Sequence, residues 1–159
     1  MIHVLDFDSN IIDFISNDDN NVIRADYKRD ADSELLDIVI LSQRAEHLKK
    51  RNRVIIQDKN GIYREFIIER VQDEGQYTTI ECNASYFSDI GTAKPILAGK
   101  YEKTTVNDKL SEVLKDTGWT VGDCDYAGIK SMSWTGTQTP YEMIKLIETN
   151  HSLKASYEI

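Results

Sequence analysis

Only two cysteines, Cys82 and Cys124, occur among 159 residues, far apart and without the paired spacing of a zinc or redox motif, so both read as reduced thiols. There is no apolar run long enough to span a bilayer, and the start, Met1-Ile2-His3-Val4-Leu5-Asp6, lacks the basic and apolar regions of a secretory leader. A chain made and kept in a cytoplasm is the expectation. Basic charge is also in deficit: 19 Lys and Arg stand against 27 Asp and Glu, a formal net charge of -8. A surface of that sign repels a phosphate backbone, which argues against a nucleic-acid-gripping protein. No Gly-rich phosphate loop, no Gly-x-Ser-x-Gly elbow and no His-x-x-x-His pair is present.

What is there is the composition of a soluble globular domain, with 40% hydrophobic and 29% charged residues and no low-complexity tract. The length suits one sizeable core or two small ones.

Roughly the first hundred residues read as β structure. Apolar and polar residues alternate with period two, as in Leu36, Ile38 and Ile40. Asn60-Gly61 is the pair favoured in a type I′ turn and predicts a hairpin between 53–58 and 62–71. A second turn at Asp73-Glu74-Gly75 leads into 77–84, where Ile80, Cys82 and Ala84 share one face, so three successive strands form a meander. Upstream, 1–7, 11–15 and 21–27 are short strands, with Asp18-Asp19-Asn20-Asn21 as a turn, and 45–51 is a helical turn or loop. Six or seven short strands predict an antiparallel β-barrel or sandwich.

After Pro95 the period changes. Val106, Leu110, Val113 and Leu114 form a helical stripe, with Thr105 as N-cap and Gly118 as the stop. Thr139-Pro140-Tyr141-Glu142 opens a second helix with a capping box, and Met143, Ile144 and Ile147 supply its apolar face. Strands are expected at 119–121, 129–134 and 153–159. The predicted class is therefore α+β, mainly β: a barrel-like domain over 1–99, then the start of a small α/β domain over 100–159. Because the sequence stops on an extended apolar segment at Ile159, a longer parent protein is expected.

Candidate sites are few. The strand Val4-Leu5 running into Asp6-Phe7-Asp8 has the Asp-x-Asp pattern with which haloacid-dehalogenase-type phosphatases present a nucleophile and a general acid beside magnesium. A magnesium-dependent phosphohydrolase using Asp6 and Asp8 is the alternative function, against a strand that simply enters an Asp/Asn-rich turn. Those enzymes need an α/β scaffold, whereas β alternation follows here. Asp6, Asp8 and Asn10 also imitate the start of a calcium loop, but Ile11 stands where Gly is required and Asn17 where the bidentate Glu belongs. Asp123-Cys124-Asp125 is a short acidic turn without a third ligand. His3, His47 and His151 stand singly, as surface or half-buried residues. Lys49, Lys50, Arg51 and Arg53 are the one basic cluster, read as a solvated turn. No catalytic, cofactor-binding or metal-ligating residue is assigned, and no cofactor is expected.

Two stretches carry a resemblance. The run 105–122, Thr-Val-Asn-Asp-Lys-Leu-Ser-Glu-Val-Leu-Lys-Asp-Thr-Gly-Trp-Thr-Val-Gly, resembles the helix, Thr-Gly-Trp and strand segment of bacteriophage tail hub proteins. These are the N-terminal structural regions of prophage endopeptidase tail, or tail-associated lysin, proteins. Residues 53–71, with Asp-Lys-Asn-Gly and Glu65-Phe66-Ile67-Ile68-Glu69, resemble the family's central hairpin, and 139–159 its second helix and following strand. The resemblance implies a non-enzymatic part of a trimeric hub at the tail tip of the virion, assembled in the host cytoplasm. Such a hub joins the distal tail protein to the cell-facing tip around a channel through which DNA passes without specific binding. It implies a homotrimer and other tail-tip proteins as partners, no membrane, and a second barrel and any peptidase lying outside this sequence. Interface residues are not identified by it. A carbohydrate- or peptide-binding β module is a third possibility, for which exposed aromatics on one sheet face would speak.

Overall fold

The alternation of the first eighty residues folds into one antiparallel sheet of seven strands: β1 (Ile2–Leu5), β2 (Ile11–Ile15), β3 (Val22–Arg29), β4 (Glu34–Leu41), β5 (Arg53–Gln57), β6 (Tyr63–Asp73) and β7 (Tyr77–Ala84). This is a computed structural model that describes residues 1–30 and 33–159. The strand order is β2-β1-β5-β6-β7-β4-β3, so the expected meander of β5, β6 and β7 lies at the centre and β2 and β3 are the edges. It is one sheet rather than two packed face to face. The sheet curls on itself: Tyr27 of β3 meets Phe66 of β6, three strands away, edge to face at 5.9 Å. Among the described residues no ladder joins β2 to β3, so the barrel is open along one seam.

The core follows from the period-two pattern. Leu36, Ile38 and Ile40 of β4 stand in register with Cys82, Ile80 and Thr78 of β7, and all are buried together with Val4, Val54, Phe66 and Ile68. Each fully buried Ile or Leu contributes roughly 1.5–3 kcal/mol relative to exposure.

The β5–β6 connection corrects one detail. Gly61 has φ +82°, but Asn60 does not have a positive φ, so the turn is not type I′. Asp58 decides this. Its carboxylate accepts the N–H groups of Asn60 and Ile62, while its own N–H bonds to the Ile62 carbonyl, leaving a three-residue loop with only Gly61 left-handed.

At that end of the barrel the inner face carries charge. Arg64 Nε lies 3.3 Å from Asp58 Oδ2 and 3.8 Å from Glu34 Oε1, and none of the three side chains exceeds 4% exposure. The Tyr27 hydroxyl donates to Glu34, and burial together with that bond raises its pKa to about 12. Arg64 Nη1 completes the set by donating to the Tyr157 carbonyl at 2.6 Å. A buried guanidinium is tolerated only when neighbours replace its water, which these groups do.

The chain divides into two units, Met1–Ser85 with Tyr157–Ile159, and Tyr86–Ser156. The division precedes Gly99, where the change of period placed it. The cause is α1 (Ser85–Gly91), a helix not foreseen, whose Tyr86 and Phe87 rings pack with Tyr141 of the second unit. In that unit β8 (Gly99–Thr105), also not foreseen, pairs antiparallel with β9 (Ile129–Trp134), and α2 (Val106–Val113) and α3 (Pro140–His151) pack on each other and on these strands. Thr105 caps α2 by accepting the Asp108 N–H at 3.2 Å, and Thr139 and Glu142 form the reciprocal capping box of α3 with Pro140 in its first turn. Met143, Ile144 and Ile147 are buried as expected. Helix α2 ends at Val113, ahead of Gly118, because Asp116 turns left-handed first.

Two predicted strands are not strands. At 119–121 the Trp119 N–H is taken by Thr117 Oγ1 and its indole by Asp89, so no ladder starts there. At 153–159, Ser152 turns left-handed, the N–H groups of Leu153 and Ala155 return to Glu148, and the Tyr157 carbonyl goes to Arg64 rather than to another strand.

Candidate assembly surface

An edge strand offers its outward N–H and C=O groups to another chain unless something occupies them. On β2 something does. The Phe14 N–H donates to the Asp13 carboxylate at 2.7 Å and its carbonyl accepts from Arg44 Nη2 at 2.8 Å. Arg44, in the turn after β4, also reaches Asp13 Oδ1 at 3.1 Å and Asp19 Oδ2 at 3.2 Å, clamping β2 to the β2–β3 turn. The Arg44 hydrogen bonds hold the Asp13 carboxyl below the usual carboxylate range. On β3 the register slips at Ile23, and exposed Arg24, Lys28 and Arg29 line the strand. A bulge and charged side chains discourage a flat strand from adding there.

The unit also presents apolar side-chain surface. Phe7, Ile11 and Phe14 are 66%, 54% and 55% exposed, and Ile12, the extra residue where β2 slips against β1, is also exposed. These four belong to the β1–β2 hairpin. His3 stacks edge-on against Phe14 at 5.0 Å and supports that ring from the neighbouring strand. Between the two edges opens a cavity of about 870 Å³, reached by Ile15, Val22, Ile23, Tyr27, Ile56 and Lys59.

The Asp-x-Asp motif has a different use. Asp6 Oδ1 accepts the N–H groups of Asp8 at 3.0 Å and Asn10 at 2.8 Å, and the Asn10 amide donates to both carboxylate oxygens. These bonds, the Asn10 N–H foremost, lower the Asp6 pKa. The carboxylate builds a tight β1–β2 turn on an antiparallel strand, and a nucleophile needs those lone pairs free. Asp8 is exposed on the same turn.

The other single residues lie apart. His3 sits on Phe14, His47 lends its backbone carbonyl to Asn52, and His151 is buried in the second unit. Among the described residues no three His, Cys, Asp or Glu side chains are grouped so that they could hold a metal ion. Cys82 is buried and Cys124 half-buried, both free. Asp123 and Asp125 are exposed in a stretch without regular structure. Of the basic cluster, Lys49, Lys50 and Arg51 are exposed while Arg53 is half-buried and paired with Glu65 at 2.9 Å. Of the exposed tyrosines on the central strands, Tyr63 lies at the β5–β6 loop end of β6 and Tyr77 at the opposite end of the sheet, where β7 begins.

Two buried polar groupings escaped the sequence reading. Alternation alone places Glu34 in phase with Leu36 and Ile38, and Arg64 in phase with Phe66 and Ile68, which was a legible signal. The other is in α2, where Lys109, not Leu110, is fully buried.

No family model matches this sequence, and no curated protein matches it. Among solved structures the fold is similar to that of prophage tail protein gp18 from Listeria monocytogenes EGD-e, with a TM-score of 0.63 and 13% identity over 94% of this chain and 45% of that one. The chain thus spans less than half the length of that protein. At such identity the likeness is one of fold, and function has to be argued separately.

Proposed function

We propose that this chain is a structural part of a phage tail, the front portion of a tail-tip hub protein. The observation that carries this is the fold likeness to a prophage tail protein across both units, 94% of the chain. In the full-length protein three copies form a ring that joins the distal tail protein to the cell-facing tip and surrounds the DNA channel. A net charge of -8 supports a channel role, since like charges keep DNA from adhering. The guarded edges of β2 and β3 favour docking through side chains, with Phe7, Ile11, Ile12 and Phe14 as the apolar centre of one contact. Closed rings of identical chains follow from a repeated heterologous contact of that kind.

Mass spectrometry and gold labelling of purified tailed particles test the assignment. The chain is expected in the particle with label at the tail tip. Tails that lack it, or a lumen lined chiefly by Lys and Arg, would overturn the proposal.

A further inference from the structure

In the second unit Lys109 is completely removed from solvent, yet among the described residues no carboxylate is paired with it. Its ammonium has three hydrogens and finds three neutral acceptors: the Lys130 carbonyl at 2.8 Å, Asn150 Oδ1 at 3.3 Å and His151 Nε2 at 2.7 Å. A ring nitrogen accepts only when it carries no proton, so with Lys109 as the charged donor His151 is neutral and carries its hydrogen on Nδ1. His151 is itself 3% exposed, and among the described residues Nδ1 has no hydrogen-bond partner.

We propose that the Lys109–His151 pair is an acid-opened lock that joins α2, α3 and β9 at neutral pH and releases them when His151 takes a proton. Protonation at Nε2 turns the 2.7 Å hydrogen bond into two donors and two positive charges facing each other. Among the described residues no negative charge is found to offset this. From α2 the imidazole faces Lys109, from β9 Lys130, whose ammonium bonds to the Asn150 carbonyl, and from the segment before β9 the Tyr126 ring at 5.5 Å. On its own helix the neighbour is the neutral Asn150 amide, and Glu148 is engaged with Lys145 and with the Ala155 N–H. Burial first, then the two lysines, lower the His151 pKa, and burial lowers that of Lys109. Because the folded pKa lies below the unfolded one, the lock is fully closed above the unfolded value near 6.5 and weakens as pH falls beneath it. Its opening equilibrium rises by up to about tenfold per pH unit.

Hydrogen exchange of the whole chain at neutral pH and at about pH 5, corrected for the intrinsic pH effect on exchange, reads the lock directly. Peptides covering 106–113, 129–134 and 140–151 are expected to lose protection in acid by about tenfold or more relative to those of β4 and β7. His151→Gln supplies a non-titrating acceptor to Lys109 and is expected to abolish that acid-specific loss. Lys109→Met is expected to move the His151 titration, followed by NMR, up toward the ordinary histidine value. Equal protection at both pH values in the wild type, or the same acid loss in His151→Gln, overturns the proposal. An ordinary His151 titration in the wild type does so as well.

Discussion

Arg64, on the inner face of β6, holds Asp58 of the β5–β6 loop at 3.3 Å with both side chains almost fully out of water, so one ion pair ties the central strand to its own turn. Glu34 and Tyr27 extend the same network to the far edge of the sheet. The barrel is therefore braced across its interior from β6 to the β3 edge.

Removing the cation is expected to be severe. Arg64→Met strands two buried carboxylates and should lower stability by about 3–5 kcal/mol, the range for breaking a buried pair from one side. Urea unfolding followed by near-UV circular dichroism measures this. A variant within about 0.5 kcal/mol of wild type would mean that the network is not energetically coupled.

The acid limb of the first unit should depend on Arg44. Asp13 titrates below its unfolded value because of the Arg44 hydrogen bonds, so its contribution is complete above about pH 4 and is lost as pH falls through the folded value. Arg44→Met is expected to flatten the dependence of stability on pH in that acid window. Matched urea titrations at successive pH values test this, and parallel curves for the two proteins would refute it.

Helix α3 depends on its first turn. Thr139→Ala removes the acceptor for the Glu142 N–H and should cost about 1 kcal/mol, whereas Thr139→Ser should be near neutral. The same comparison at Thr105 tests α2. Thermal unfolding monitored at 222 nm provides the readout.

At the β5–β6 loop, Gly61→Ala forces a side chain into φ +82° and should destabilise by about 1–2 kcal/mol. Gly61→Asn is expected to lose less, since Asn tolerates that conformation better. Equal losses would point to a steric clash rather than to backbone conformation, although only the Gln57 side chain comes within 4 Å of an added Cβ.

The exposed β1–β2 hairpin is predicted to matter for assembly and not for folding. Phe14→Ser and Ile11→Ser should leave stability within about 0.5 kcal/mol while reducing incorporation into tails. Quantitative mass spectrometry of particles from a complementation assay checks this. Full incorporation of both variants would remove this hairpin from the interface.

Local chemistry made much of the fold readable. The buried faces of β4 and β7, the caps at Thr105 and Thr139 and the glycine turns at 61 and 75 all depend on residues within one strand or one helical turn of each other. The resemblance to tail hub proteins rested on such stretches too, and the fold likeness to a prophage tail protein agrees with it at the level of fold. The two missing strands share a cause. The 119–121 and 153–159 segments have strand-like composition, but Asp89, Glu148 and Arg64 claim their polar groups from elsewhere in the chain.

By itself the sequence determined the main strands of the sheet and the starts of α2 and α3, because alternation, capping and turn chemistry act between near neighbours. Only the tertiary structure decided which polar groups meet. Arg64 with Glu34, Phe14 with Arg44 and Lys109 with His151 are separated by 30 to 42 positions, and whether such groups are paired depends on curvature and packing that no local pattern encodes.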